Sequence, residues 1–109
     1  MIVDTSALMA IVNREREAEV FRALLHAHDF ALSAATLVEA EIVVGGRLRD
    51  EGLRELRSLL RGADARIVPV DEIHAHLASD AYRRYGRGSG HPARLNYGDC
   101  FSYALAIAH

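Results

Sequence analysis

Lysine is absent from this 109-residue chain, and all thirteen basic residues are arginine. A GC-rich coding sequence accounts for such a bias, but the chemical consequence stands whatever its origin. No mechanism that needs a lysine amine is open to the chain, and every cationic contact is a planar fork able to grip phosphate with two hydrogen bonds. Cysteine is nearly absent as well. Cys100 stands alone, which rules out an intrachain disulfide and makes a reducing cytoplasm the expected compartment. No apolar run approaches the length of a membrane span, and no basic segment precedes an apolar one in the manner of a signal peptide, so no membrane partner is expected. The formal net charge is only -2, which gives no broad electrostatic footprint for nucleic acid or for a lipid surface.

What remains is an ordinary globular composition, 50% hydrophobic and 26% charged, long enough for one domain over residues 1–109 with one modest core. Ile2 and Val3 are β-branched and suit a short first strand over residues 2–4. Ser6 is placed to cap a helix that begins at Ala7 and breaks in the polar run Asn13–Arg16. A second helix shows Val20, Phe21, Leu24 and Leu25 at helical spacing, with Glu19 and Arg22 turned outward. Residues 30–32 read as a second strand. Thr36 and Glu39 fit a capping box opening a third helix, which Gly45-Gly46 ends or bends. From about Asp50 a fourth helix places Leu53, Leu56, Leu59 and Leu60 on one face and Arg54, Arg57 and Arg61 on the other, solvated one, with Gly62 as its stop.

Residues 66–70 predict a third strand whose Pro69 favours an edge or an end. Asp71 caps a fifth helix carrying Ile73, Leu77, Ala78, Tyr82 and Tyr85, and a glycine-rich loop over residues 86–92 precedes a last helix opened by Asn96. Strands alternating with helices imply a three-layer α/β/α sandwich around a central parallel sheet. The last helix is still apolar at His109, so a further C-terminal strand is expected beyond this chain.

Three acids occupy comparable places. Asp4 ends a strand, and Glu39 and Asp99 lie in the first turns of helices. Each taken alone is explained by helix capping. Together they would share the carboxyl-end rim of the sheet, where open α/β folds bind ligands. Two carboxylates roughly 4 Å apart repel by about 4 kcal/mol at an effective dielectric of 20, so such a group calls for a proton, an arginine or a divalent cation. An all-oxygen donor set suits Mg²⁺ or Mn²⁺ and a phosphate substrate, the pattern of metal-assisted hydrolysis.

The segments Ile2–Ser6, Leu32–Ala40 and Ala93–Ala104 occur in the order found in PIN-domain ribonucleases, and the chain resembles in particular the VapC toxins of bacterial toxin–antitoxin pairs. The resemblance implies a PIN-like fold and a Mg²⁺-dependent endoribonuclease with Asp4, Glu39 and Asp99 as its acidic cluster. Asp4 and Asp99 would be the direct metal ligands, and Ser6 would support the site. It also implies a homodimer and a cognate VapB-type antitoxin whose basic tail enters the acidic pocket. The family's pattern includes a further acid on a segment after the last helix. The rival reading is a catalytically inactive PIN-like module that binds RNA or protein. A phosphoacceptor receiver domain is set aside, because it requires a late lysine.

Other candidates are weaker. Arg87, His91 and Arg94 bracket the glycine-rich loop just before Asp99, and the two arginines are candidate RNA contacts. Glu41 points away from Glu39, and Asp80 reads as a solvated or arginine-paired acid. His26/His28 and His74/His76 have i,i+2 spacing, which does not bring two ligands to one helix face and marks them as surface residues. Cys100 reads as a packed, unreactive thiol.

Overall fold

The computed structural model of the chain describes residues 1–14 and 18–109; residues 15–17, which include the end of the polar run after Asn13, lie outside the description. The described elements run α1 (Thr5–Val12), α2 (Ala18–Ala27), β1 (Ala31–Ser33), α3 (Ala34–Gly62), β2 (Arg66–Val68), α4 (Glu72–Tyr85) and α5 (Tyr97–Ala108). β1 and β2 pair in parallel with Leu32 opposite Ile67, and Ile2 adds one parallel bridge to Ala31. The chain is therefore α/β with a small parallel sheet, as expected, although helices dominate it.

The expected first strand is reduced to that bridge. The Val3 N–H donates to the Ala31 carbonyl at 3.0 Å and the Ala31 N–H to the Met1 carbonyl at 2.8 Å. Pairing stops there because Asp4 turns the chain: its side chain accepts from the Ala7 N–H and caps α1. The cap is thus Asp4 rather than Ser6, and the helix starts at Thr5. α1 is short and apolar, with Leu8 to Val12 all buried, as befits a helix enclosed by its neighbours. β1 is wholly buried, whereas β2 is largely exposed and ends at Val68, since Pro69 has no N–H for a further pairing.

α3 departs most from expectation. Ser33, not Thr36, is its cap, and its hydroxyl accepts from the Ala35 N–H at 3.2 Å. Thr36 is buried inside the helix, so there is no Thr36–Glu39 capping box. Gly45 and Gly46 stay helical, and the break falls at Arg49, with φ 59° and ψ −155°. The Arg57 guanidinium reaches Glu41 Oε1 at 2.6 Å. Sixteen residues of straight helix would separate those two by about 24 Å, so the chain doubles back at Arg49 and α3 is a hairpin of two arms, 34–48 and 50–62. A Cβ on Gly45 would lie 3.3 Å from Leu53 of the returning arm, which explains a glycine there without any break in the helix.

Two apolar cores result. The larger joins α1, β1 and both arms of α3 through Leu8, Ile11, Leu32, Val44 and Leu56, and takes in Leu25 of α2. Val20 and Leu24 on the expected apolar face of α2 remain exposed, and Arg22 is half-buried rather than turned out. The second core lies between α4 and α5 and is built on small residues, Ala78, Ala81, Cys100 and Ala104. The packed stripe of α4 therefore runs through His74, Ala78 and Ala81, while Ile73 and Tyr82 face outward. His74 is no surface residue: it is 3% exposed and stacks edge-on to His109. His26, His28 and His76 are exposed as expected, and Asp80 pairs with Arg83 at 3.3 Å on the surface. No helix among the described residues is long and apolar enough to cross a membrane.

Candidate active site

A cavity of about 350 Å³ is lined by Asp4, Glu39 and Asp99 together, with Thr5, Ser6, Arg47, Gly98 and Ser102 among its other walls. Local structure explains the convergence. The bridge to Ala31 sets the end of the first segment beside the end of β1, so Asp4 and the start of α3 emerge at the same edge. A hydrogen bond of 3.3 Å between the hydroxyls of Thr36 and Ser102 ties α3 to α5. Glu39 lies one turn after Thr36 and Asp99 one turn before Ser102, so this pair acts as a pin beneath both acids.

Each carboxylate spends one oxygen on the protein. Asp4 Oδ1 accepts from the Ala7 N–H at 3.3 Å, and Asp99 Oδ2 accepts from the Asn96 N–H at 2.9 Å. The Asp99 contact completes a capping box, in which the Asn96 side chain accepts from the Asp99 N–H at 2.8 Å. Glu39 Oε1 accepts from the Thr5 hydroxyl at 2.5 Å. Among the described residues no such bond engages Asp4 Oδ2, Asp99 Oδ1 or Glu39 Oε2. The hydrogen bonds fix the side chains and leave one acceptor apiece.

This donor set fits a hard divalent cation, which takes oxygen ligands and in the case of Mg²⁺ needs only one or two protein carboxylates beside its waters. It does not form a closed cage: among the described residues no three His, Cys, Asp or Glu side chains are grouped closely enough to hold an ion by themselves. Ser6 lies at the cavity's exposed rim. Arg87 and Arg94 lie outside the cavity lining, on the loop that leads into α5.

Of the lining residues that the sequence reading did not assign to a site (Thr5, Val43, Arg47, Asn96, Gly98 and Ser102), Arg47, Thr5 and Gly98 bear most on the carboxylates. Arg47 follows Glu39 by eight positions on the first arm of α3, which keeps both within one broad stripe of the helix, and that spacing was the available signal. Thr5 was legible only as a neighbour of Asp4. Gly98 sits at the second position of α5, where a Cβ would collide with the Glu39 carboxylate. A glycine in the first turn of an otherwise well-formed helix was the clue to a close approach. Elsewhere, Glu41 is engaged by Arg57, whose pKa its hydrogen bond and charge raise, so Arg57 does not belong to a purely solvated stripe. Burial, then the neighbouring Asp99 charge, raises the pKa of the Cys100 thiol, as suits a packed and unreactive cysteine.

The cavity with its three carboxylates thus lies at the edge where the first segment and β1 end, the position at which open α/β folds bind ligands. The PIN domain family model matches residues 1–109, and the chain belongs to that family. Among curated proteins it is 48% identical over 108 residues to VapC ribonuclease Mb0625 of Mycobacterium bovis and to Ribonuclease VapC28 of Mycobacterium tuberculosis, covering 98% of this chain and 81% of each relative. Ribonuclease VapC of Mycolicibacterium smegmatis is 46% identical over 107 residues, covering 97% of this chain and 82% of that protein.

Proposed function

We propose that the chain is an endoribonuclease toxin of the VapC type that hydrolyses RNA phosphodiester bonds at the cavity lined by Asp4, Glu39 and Asp99. The observation that carries this reading is that Asp4, Glu39 and Asp99 line one cavity, each with one carboxylate oxygen hydrogen-bonded to the protein and the other without such a bond among the described residues. Asp4 Oδ2 and Asp99 Oδ1 would hold Mg²⁺, with Mn²⁺ as the alternative. When bound, the cation supplies Lewis-acid activation of water and neutralises charge on the scissile phosphate. Glu39, held through Oε1 by Thr5, uses Oε2 to orient the attacking water and accept its proton. Arg47 meets a non-bridging phosphate oxygen with its planar fork, and Ser6 supports the rim. Arg87 and Arg94 contact the RNA backbone further along the strand.

The same reading makes a VapB-type antitoxin with a basic tail the inhibitor, its cations meeting the carboxylates that the metal otherwise satisfies. It further proposes a homodimer acting in the cytoplasm.

Asparagine substitutions separate catalysis from capping: at Asp4, asparagine caps a helix about as well as aspartate, and at Asp99 its amide oxygen can still accept from the Asn96 N–H, while both lose the charge. Asp4→Asn and Asp99→Asn are expected to lose RNA cleavage by roughly 100-fold or more, as for other groups that stabilise charge in a transition state, with Tm nearly unchanged. Chelation with EDTA abolishes cleavage and Mg²⁺ or Mn²⁺ restores it. Calorimetric titration with Mn²⁺ shows binding to the parent protein and not to Asp99→Asn. Full cleavage by either variant would remove that carboxylate from the proposed role.

A further inference from the structure

We infer that the cleft between α4 and α5 is a subsite for one unpaired RNA base adjoining the scissile phosphate, an inference that rests on the ribonuclease reading of the acidic cavity. The cleft encloses about 510 Å³, a size typical of small-ligand sites. Its floor is formed by Ala78 and Cys100, both buried and small, and its walls by Tyr82, Tyr97 and Phe101, with Arg83 at the side. Small residues below and aromatic rings around make a slot for a flat, apolar-faced group.

Tyr97 is the residue that core packing does not explain. It is 75% exposed at the first position of α5, yet its ring is oriented by an edge-to-face contact with Phe101, centroids 5.0 Å apart and planes at 76°. An exposed aromatic ring held in place beside a cavity is a stacking platform.

Its location relative to the acids ties the cleft to RNA. Tyr97, Cys100 and Phe101, at i, i+3 and i+4, line the cleft, whereas Gly98, Asp99 and Ser102 line the acidic cavity. The first turn of α5 is thus the wall between the two, and the thickness of one helix, roughly 10 Å with side chains, separates a base in the cleft from a phosphate at Asp99. A nucleotide flanking the cleaved bond spans such a gap. The base must be unpaired, since only a splayed base presents its face for stacking. Arg83, which among the described residues makes one exposed pair, with Asp80, is available to follow the backbone, because a surface pair of this kind is weak. Continuity with the acidic cavity across one helical turn favours RNA over a protein segment as the occupant.

The test is the affinity of the full chain for a labelled five-nucleotide single-stranded RNA in EDTA, where nothing is cleaved, against the same oligomer with an abasic central position. Tyr97→Ala leaves the Asn96–Asp99 capping box intact, and Ser79→Trp, on the exposed side of α4, fills the cleft without entering the core. Both variants are expected to weaken binding of the intact RNA by roughly tenfold while Tyr97→Phe stays within about twofold, and the abasic oligomer should bind all of them equally weakly. Unchanged affinity in Tyr97→Ala, or equal binding of abasic and intact RNA by the parent protein, overturns the subsite. So does a result in which Tyr97→Ala alters only self-association or antitoxin binding, since the cleft is then a protein interface. Tyr97-dependent binding of RNA that is never cleaved with Mg²⁺ present supports the subsite and counts against the ribonuclease reading instead. Cleavage with KM unchanged in Tyr97→Ala does the reverse.

Discussion

Gly98→Ala separates the position of Glu39 from the stability of the fold. A Cβ on Gly98 would land on the Glu39 carboxylate, with Oε2, Cδ and Oε1 its nearest neighbours. The end of a half-buried glutamate yields more easily than the backbone of α5, so the carboxylate swings aside and releases the Thr5 hydroxyl. Losing a hydrogen bond to a charged group costs about 1.5 kcal/mol, and replacing glycine by alanine at a helical position contributes about 0.5–1 kcal/mol in the other direction. The net loss is about 0.5–1 kcal/mol, a fall in Tm of roughly 2–8 °C for a domain near this size. Cleavage should suffer far more, by about 100-fold, as expected when a group that orients a reactant is displaced by an ångström or more. Gly46→Ala is the matched control: nothing lies within 4 Å of its Cβ position, so it should stabilise the fold by about 0.5–1 kcal/mol and leave activity alone. Thermal melts and a fluorogenic RNA assay read both quantities. Gly98→Ala cleaving at the parent rate, with Tm lowered as calculated, would show that Glu39 is not needed where it sits.

Other outcomes follow from the packing. Leu56→Ala removes a fully buried side chain where the second arm of α3 enters the main core and should destabilise by about 2–5 kcal/mol in urea melts. Because the Cys100 pKa is raised, the folded state holds the thiol proton after the unfolded chain has lost it; this group therefore costs no stability below pH 9.0, its ordinary value, and stability falls as pH rises above it. Native protein should react with a disulfide reagent at pH 8 only at the rate of local opening, and Cys100→Ala should flatten the alkaline decline. The Glu41–Arg57 pair should show a coupling in a double-mutant cycle that shrinks in high salt, because both groups face solvent in part.

Residues whose neighbours in space are also neighbours in sequence were legible from the sequence. Asp71 before α4 and Asn96 before α5 are caps fixed within one helical turn, and both occur where expected. The parallel pairing of β1 with β2 followed from the alternation of apolar strands with helices. Failures came where a distant partner decides. Gly45 looks like a helix breaker until Leu53 is seen returning across it, and the reversal was written instead at Arg49, a residue with no intrinsic preference for positive φ. Thr36 looked like a cap because its real partner, Ser102, lies 66 residues away. His74 looked exposed because its i,i+2 spacing says nothing about a stripe shared with Ala78 and Ala81. Asp4 and Asp99 lie at the segment end and the helix start where they were expected, whereas Glu39 lies one turn deeper, because Ser33 and not Thr36 caps α3; Arg47 and Gly98 depend on the packing of α3 against α5.

That packing also dissolves the opposition between a cap and a ligand. A carboxylate has two oxygens, and a backbone N–H that takes one of them freezes the rotamer of the other. In Asp99 the capping box does this by exchanging two hydrogen bonds with Asn96, so the free Oδ1 is carried on a helical turn that tolerates little motion. In Asp4 the single bond to Ala7 is longer, 3.3 Å, and the residue is exposed. The two proposed ligands are therefore unequal: Asp99 is preorganised and Asp4 adjusts. A cation held between them should lose most of its affinity in Asp99→Asn and less in Asp4→Asn, while both variants lose turnover. Weakening Asp99's platform alone, by Asn96→Ala, should cost about 1 kcal/mol of stability and also raise the metal concentration needed for half-maximal cleavage. An unchanged metal requirement in Asn96→Ala would mean that the cap and the ligand act independently.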